Sequence, residues 1–129
     1  MRWITLLLTA MPVAAFCSAA LSPFETDVFP GNQGEIRITF IGHGTLLLEF
    51  AGKVIHVDPV SAYADYQTLA KADVILITHE HGDHLDPNAV QMIRKQNTQI
   101  VYSGRCAEKL PGGIVMMNGE EKTVAGIPI

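Results

Sequence analysis

Disulfide chemistry is nearly absent from this 129-residue chain, which has two cysteines, Cys17 and Cys106. Charge is sparse too. Charged residues make up 17% and lean acidic, for a net charge of −4, so no basic field exists to attract nucleic acid. Gly and Pro (11 and 7) follow no repeat, which excludes a collagen. An apolar content of 48% excludes a disordered chain. No dinucleotide fingerprint, phosphate loop or serine-nucleophile elbow occurs. Histidine is also missing from the whole stretch after residue 84.

The apolar excess is uneven. Arg2 is the single charge in residues 1–20, Ile4 to Ala15 carry none, and Ser18-Ala19-Ala20 ends the run in small residues. A positive start, an apolar middle and a small-residue end compose a secretory signal peptide, with cleavage expected after Ala20 or Ala19. The alternative is an uncleaved anchor, because about 20 apolar residues can just span a bilayer. Pro12 and the small-residue end favour cleavage. A lipoprotein would need a small residue before Cys17, which Phe16 does not supply. Cleavage leaves 109 residues, a net charge of −5, no stable membrane span and Cys106 alone, so no internal disulfide. The expected compartment is the periplasm or the exterior. There, the core or a metal must stabilise the fold.

Residues 21–34, with Pro23, Pro30, Gly31 and Gly34, read as an extended lead-in without a core of its own. From residue 35 the pattern changes. Ile36, Ile38 and Phe40 alternate with polar neighbours, as a half-buried strand requires. Thr45–Phe50 and Val54–Val57 follow across Gly42-His43-Gly44 and Ala51-Gly52-Lys53, giving an antiparallel meander that stops at Asp58-Pro59. A short helix is expected over Ala64–Ala72. Val74-Ile75-Leu76-Ile77 reads as a strand buried on both faces. Asp86-Pro87 supplies a cap and a first-turn proline for a helix to about Gln96, with Leu85 and Val90 at its staple positions. Ile100–Tyr102, a short helix near Arg105–Leu110, Ile114–Met117 and Lys122–Val124 complete the series, with Asn118-Gly119 as a turn. The class is therefore α/β or α+β: a β-meander followed by βα units.

Three of the five histidines lie in His79-Glu80-His81-Gly82-Asp83-His84, directly after the buried strand. Imidazole and carboxylate together suit zinc, iron or manganese. An H-x-H spacing at a strand end lets two rings converge on one ion, and Asp83 and His84 can face a second. The plainer alternative is a solvated loop with coincidental histidines. The spacing and the strand–loop–helix setting disfavour it.

This motif resembles that of the metallo-β-lactamase superfamily, in its general hydrolase and lactonase branch. Phe40-Ile41-Gly42-His43-Gly44-Thr45 and Val57-Asp58-Pro59 share the resemblance, which covers residues 35–129. It implies the N-terminal half of an αββα sandwich. It further implies that His79 and His81 bind a first metal and that Asp83 and His84 bind a second. Zinc is expected first, with iron or manganese as alternatives. Asp83 would also orient a metal-bound hydroxide that attacks an ester, lactone, amide or phosphodiester of a small molecule. Asp58 would be either a support for the ligand loop or a turn residue. His43 would be a turn residue that could also face the cleft, and His56 a strand-face residue without chemistry.

In that family a third site-1 histidine, a bridging carboxylate and a last site-2 histidine lie downstream, and no such histidine follows His84 here. Asp86, Glu108, Glu120 and Glu121 stand in no matching context. The expectation is a partial domain, weak or inactive alone. Its sheet face would be exposed and would favour a homodimer or other association. A non-catalytic metal-binding or interaction module is the alternative.

Overall fold

Both the period-two pattern from Ile36 and the apolar run at Val74 become strands of one sheet. The computed structural model describes residues 23–129, and the expected signal peptide over residues 1–20 lies outside the described residues. The elements are β1 (Glu25–Gly31), β2 (Gly34–Gly42), β3 (Thr45–Phe50), β4 (Lys53–Val57), β5 (Val74–Ile77), α1 (Pro87–Ile93) and β6 (Gln99–Tyr102). A 3₁₀ segment (Gly104–Glu108), β7 (Ile114–Val115), β8 (Thr123–Val124) and β9 (Ile127–Pro128) follow. Strands β1 to β7 lie side by side in chain order, and β8 and β9 form a separate hairpin. Pairing is antiparallel from β1 to β4 and parallel from β4 to β7. This is the expected α+β arrangement of meander and βα units.

Register divides the sheet into two faces. Phe40, Leu46, Val57, Leu76, Val101 and Ile114 oppose one another in a row across β2 to β7. The alternate row, Thr39, Leu47, His56, Ile75 and Ile100, points to the other face. On that second side Ile75, Ile77, Ile100 and Tyr102 pack with Leu85, Ala89, Val90 and Ile93 of α1 and its entry. Among the described residues, the first side carries only the β8–β9 hairpin, whose Val124 and Ile127 join Ile55, Val74 and Val101. Towards β1 and β2 this side is open, with Phe29 48% and Phe40 44% exposed.

Local chemistry explains the elements. Asp86 caps α1 by accepting from the backbone N–H of Asn88 at 2.8 Å, with Pro87 in the first turn. Leu85 and Val90 are both buried in the same cluster, as a hydrophobic staple requires. The helix ends at Ile93 rather than near Gln96. Thr98 explains this, because its Oγ1 accepts from Lys95 N (2.8 Å) and donates to Ala72 O (2.6 Å), holding residues 95–98 in a turn.

Other expectations need correction. The lead-in over residues 21–34 takes a place in the sheet, since Glu25–Gly31 pairs with β2 along its whole length. Pro30 is tolerated there because β1 is an edge. The helix expected over Ala64–Ala72 does not form. Asp65 instead makes a turn, accepting from Gln67 N at its Oδ1 (3.0 Å) and from Thr68 N and Oγ1 at its carbonyl. Such local bonding competes with a helix. Buried Tyr66 then turns its hydroxyl to accept from Val60 N at 3.1 Å. Among the described residues, no helix is long and apolar enough to cross a membrane.

Candidate metal centre

Three chain segments meet at one end of the sheet. Parallel strands β4 and β5 end there and are followed by Asp58 and Thr78, and the β2–β3 turn, His43-Gly44, arrives beside them because Leu46 pairs with Val57. Ligand sites in parallel sheets sit at such carboxyl ends. The 79–84 segment folds back on itself: the N–H groups of His84 and Leu85 both donate to His81 O, at 3.0 and 2.8 Å. The rings are thereby gathered, with centroids 4.8 Å apart for His79–His81 and 4.0 Å for His79–His84.

Asp83 is common to two sets of donor atoms. His79, His81 and Asp83 offer ligand atoms all within 4.8 Å of one another, and so do His43, Asp83 and His84. His43 Nε2 lies 3.3 Å, and His84 Nε2 3.8 Å, from Asp83 Oδ2. Donors around a tetrahedral ion with bonds of 2.0–2.1 Å stand about 3.4 Å apart, so the residues fit a small divalent cation. The Asp83 carboxyl is held below the usual carboxylate range, first by its own backbone N–H and then by His84, His43 and His81.

Asp58 organises the ligands from behind. It is buried and holds φ +44. Its Oδ1 accepts from Thr78 N at 2.8 Å, and its Oδ2 accepts from Thr78 Oγ1 at 2.7 Å and His84 Nδ1 at 2.8 Å. Thr45 Oγ1 fixes the Asp58 carbonyl at 2.6 Å. With Nδ1 donating, the other ring nitrogen of His84 is left as the ligand atom. Gly44 makes room for that ring: a Cβ there would stand 3.1 Å from His84 Cε1. On the opposite side, Lys109 Nζ donates to Glu80 O at 2.7 Å and Arg105 Nη1 to Glu80 Oε1 at 3.3 Å, tying the loop to the 3₁₀ segment.

The structure thus brings together His79, His81, Asp83 and His84, the four residues singled out by the motif. Asp58 stands as the support rather than as a turn residue alone. His43 is drawn into the cluster, which sequence left open; the flanking glycines were the available signal. Thr78 went unnoticed because an isolated threonine carries no signature. His56 stays outside, buried under the sheet with Nε2 donating to Ala70 O at 2.9 Å. Asp86 serves α1 and also accepts from Ser61 N and Oγ.

The family model described as beta-lactamase superfamily domain matches residues 37–127. The chain belongs to the beta-lactamase superfamily. A UPF0173 metal-dependent hydrolase from Flavobacterium johnsoniae is 45% identical over 75 residues, covering 53% of this chain and 32% of that protein. One from Archaeoglobus fulgidus is 39% identical over 70 residues, covering 51% and 29%. A crystal structure from Parabacteroides distasonis, named only provisionally as a metal-dependent hydrolase, superposes with a TM-score of 0.75 at 51% identity. That superposition covers 78% of this chain and 46% of the other. The matches span about a third of the length of these curated relatives. Such a superfamily implies a metal cofactor, and the donor geometry above accommodates one.

Proposed function

We propose that this chain carries the metal centre of a hydrolase acting on an ester, lactone, amide or phosphodiester bond of a small molecule. The observation that carries the reading is the convergence of His79, His81, Asp83 and His84 at the carboxyl end of β5, inside the segment that matches the family. His79 and His81 would hold one cation, and Asp83 with His84 a second. Zinc suits the imidazole and carboxylate donors first, and iron or manganese also fit. When bound, the cation supplies Lewis acidity to the scissile group and acidifies water.

The chain's own residues do the positioning. Asp83 faces both donor sets and is the group to orient the attacking water. Asp58 fixes the His84 tautomer and ring plane through a 2.8 Å bond. Side chains of His43 and Asp83 are about half exposed (50% and 53%), so bulk water competes for the donors. An open centre of this kind favours weak metal retention and slow turnover by the chain alone. The uncovered sheet side at Phe29 and Phe40 supports association with a second copy. The residue 1–20 pattern supports a periplasmic or secreted location.

The test is hydrolysis of a panel of lactones, esters and phosphodiesters by the chain before and after metal removal, with a His79→Ala/His81→Ala control. Metal-restored turnover that the control lacks is expected. Turnover untouched by metal removal would refute the metal-dependent reading. Metal binding without turnover would leave a non-catalytic metal-binding module.

A further inference from the structure

We infer that His43 is a metal ligand, forming with Asp83 and His84 a second cation position separate from the one at His79 and His81. The inference rests on the metal-dependent reading above, and it adds a donor from a different part of the chain. Three observations carry it. The first is spacing: His43 Nε2 stands 3.3 Å from Asp83 Oδ2, about the separation of two ligands on one tetrahedral ion. Its ring is 5.0 Å from that of His84, edge to face.

The second is backbone strain. His43 adopts φ +51, a left-handed conformation uncommon for any residue that carries a side chain. Strain of this kind persists where a side chain is needed in one place. The third is the lack of a packing role. The side chain is half exposed, and its neighbours are Asp83, His84 and, at 6.1 Å between ring centroids, Tyr63. Among the described residues, no buried apolar cluster includes it. Burial therefore does not account for the histidine at this turn. A ligand role does. His84 completes the position because Asp58 occupies its Nδ1 and leaves Nε2 facing Asp83.

The test is titration of the full metal-stripped chain with cobalt(II), followed by its visible absorption and by competition with a chelator. The comparison is with His43→Asn, which keeps the left-handed turn, and with His79→Ala. Wild type should bind two ions. His43→Asn should lose the weaker one, or bind it at least about 10- to 100-fold less tightly. It should keep the ion that His79→Ala removes, and its metal-free melting temperature should be unchanged or higher. Two ions bound by His43→Asn with wild-type affinity would overturn the inference and leave the proposed function standing. A single ion in wild type, indifferent to His43, would do the same. No cobalt uptake by wild type would overturn both.

Discussion

Replacing Asp58 by Asn isolates what a single carboxylate oxygen does for the centre. The backbone should survive, because Asn is among the residues that best tolerate the φ of +44 found there. Its amide oxygen can still accept from Thr78 N in place of Oδ1. The amide nitrogen then occupies the position of Oδ2, facing Thr78 Oγ1 and His84 Nδ1, which both donate to Asp58 in the parent. The hydroxyl can rotate to accept. The imidazole can accept only by moving its proton to Nε2, the nitrogen aimed at Asp83. Stability should fall by about 1–1.5 kcal/mol, the difference between hydrogen bonds to a charged and to a neutral group. Affinity for a metal at His84 should fall about 10- to 100-fold, as when a ligand's supporting carboxylate is lost. Long-range nitrogen–proton NMR of the imidazoles reads the tautomer, and a cobalt titration of the same sample reads the affinity. An unchanged tautomer with unchanged affinity would refute the argument that Asp58 acts through His84.

Three other perturbations test separate parts of the account. Gly44→Ala places a Cβ 3.1 Å from His84 Cε1, against a ring that Asp58 holds still, so it should cost about 1–3 kcal/mol in denaturant unfolding and weaken metal binding. Ala51→Asn should stabilise by roughly 0.5–1 kcal/mol, read as a melting temperature a few degrees higher. Ala51 and Gly52 hold φ +49 and +72, and Asn-Gly is the favoured pair for a turn with two positive angles. His56 has its pKa lowered by burial, against the opposing bond to Ala70. Below its unfolded pKa of about 6.5 the unfolded chain takes up a proton that the folded chain refuses. Stability should therefore fall on acidification from pH 6.5, by at most about 1.4 kcal/mol per pH unit. His56→Gln should remove that part of the slope when melting is compared between pH 7.5 and 5.

What could be read in advance followed the range of the interactions. The meander was legible because each strand alternates on its own, and Val74–Ile77 because a run buried on both faces needs no partner to reveal it. The cap at Asp86 and the metal motif are likewise local, each complete within a few residues. β1 was hidden because Pro30 and Gly31 look like breakers until the strand is known to lie at an edge. The 64–72 segment misled because helix-forming residues there are overruled by the Asp65 turn and by the demand that Tyr66 be buried. Asp58 reaches His84 across 26 residues, and His43 reaches Asp83 from the β2–β3 turn. Such contacts exist only once the strands are in register. The motif therefore named the candidate donors, while the groups that hold them in place came from the fold.

The central claim is that the histidine cluster holds metal, and elemental analysis of the purified chain from Leu21, alongside its mass in solution, tests it most directly. The account predicts bound zinc, iron or manganese that disappears in His79→Ala/His81→Ala, with up to two ions per chain. A folded, soluble chain that carries no metal and takes none up when it is supplied would contradict it.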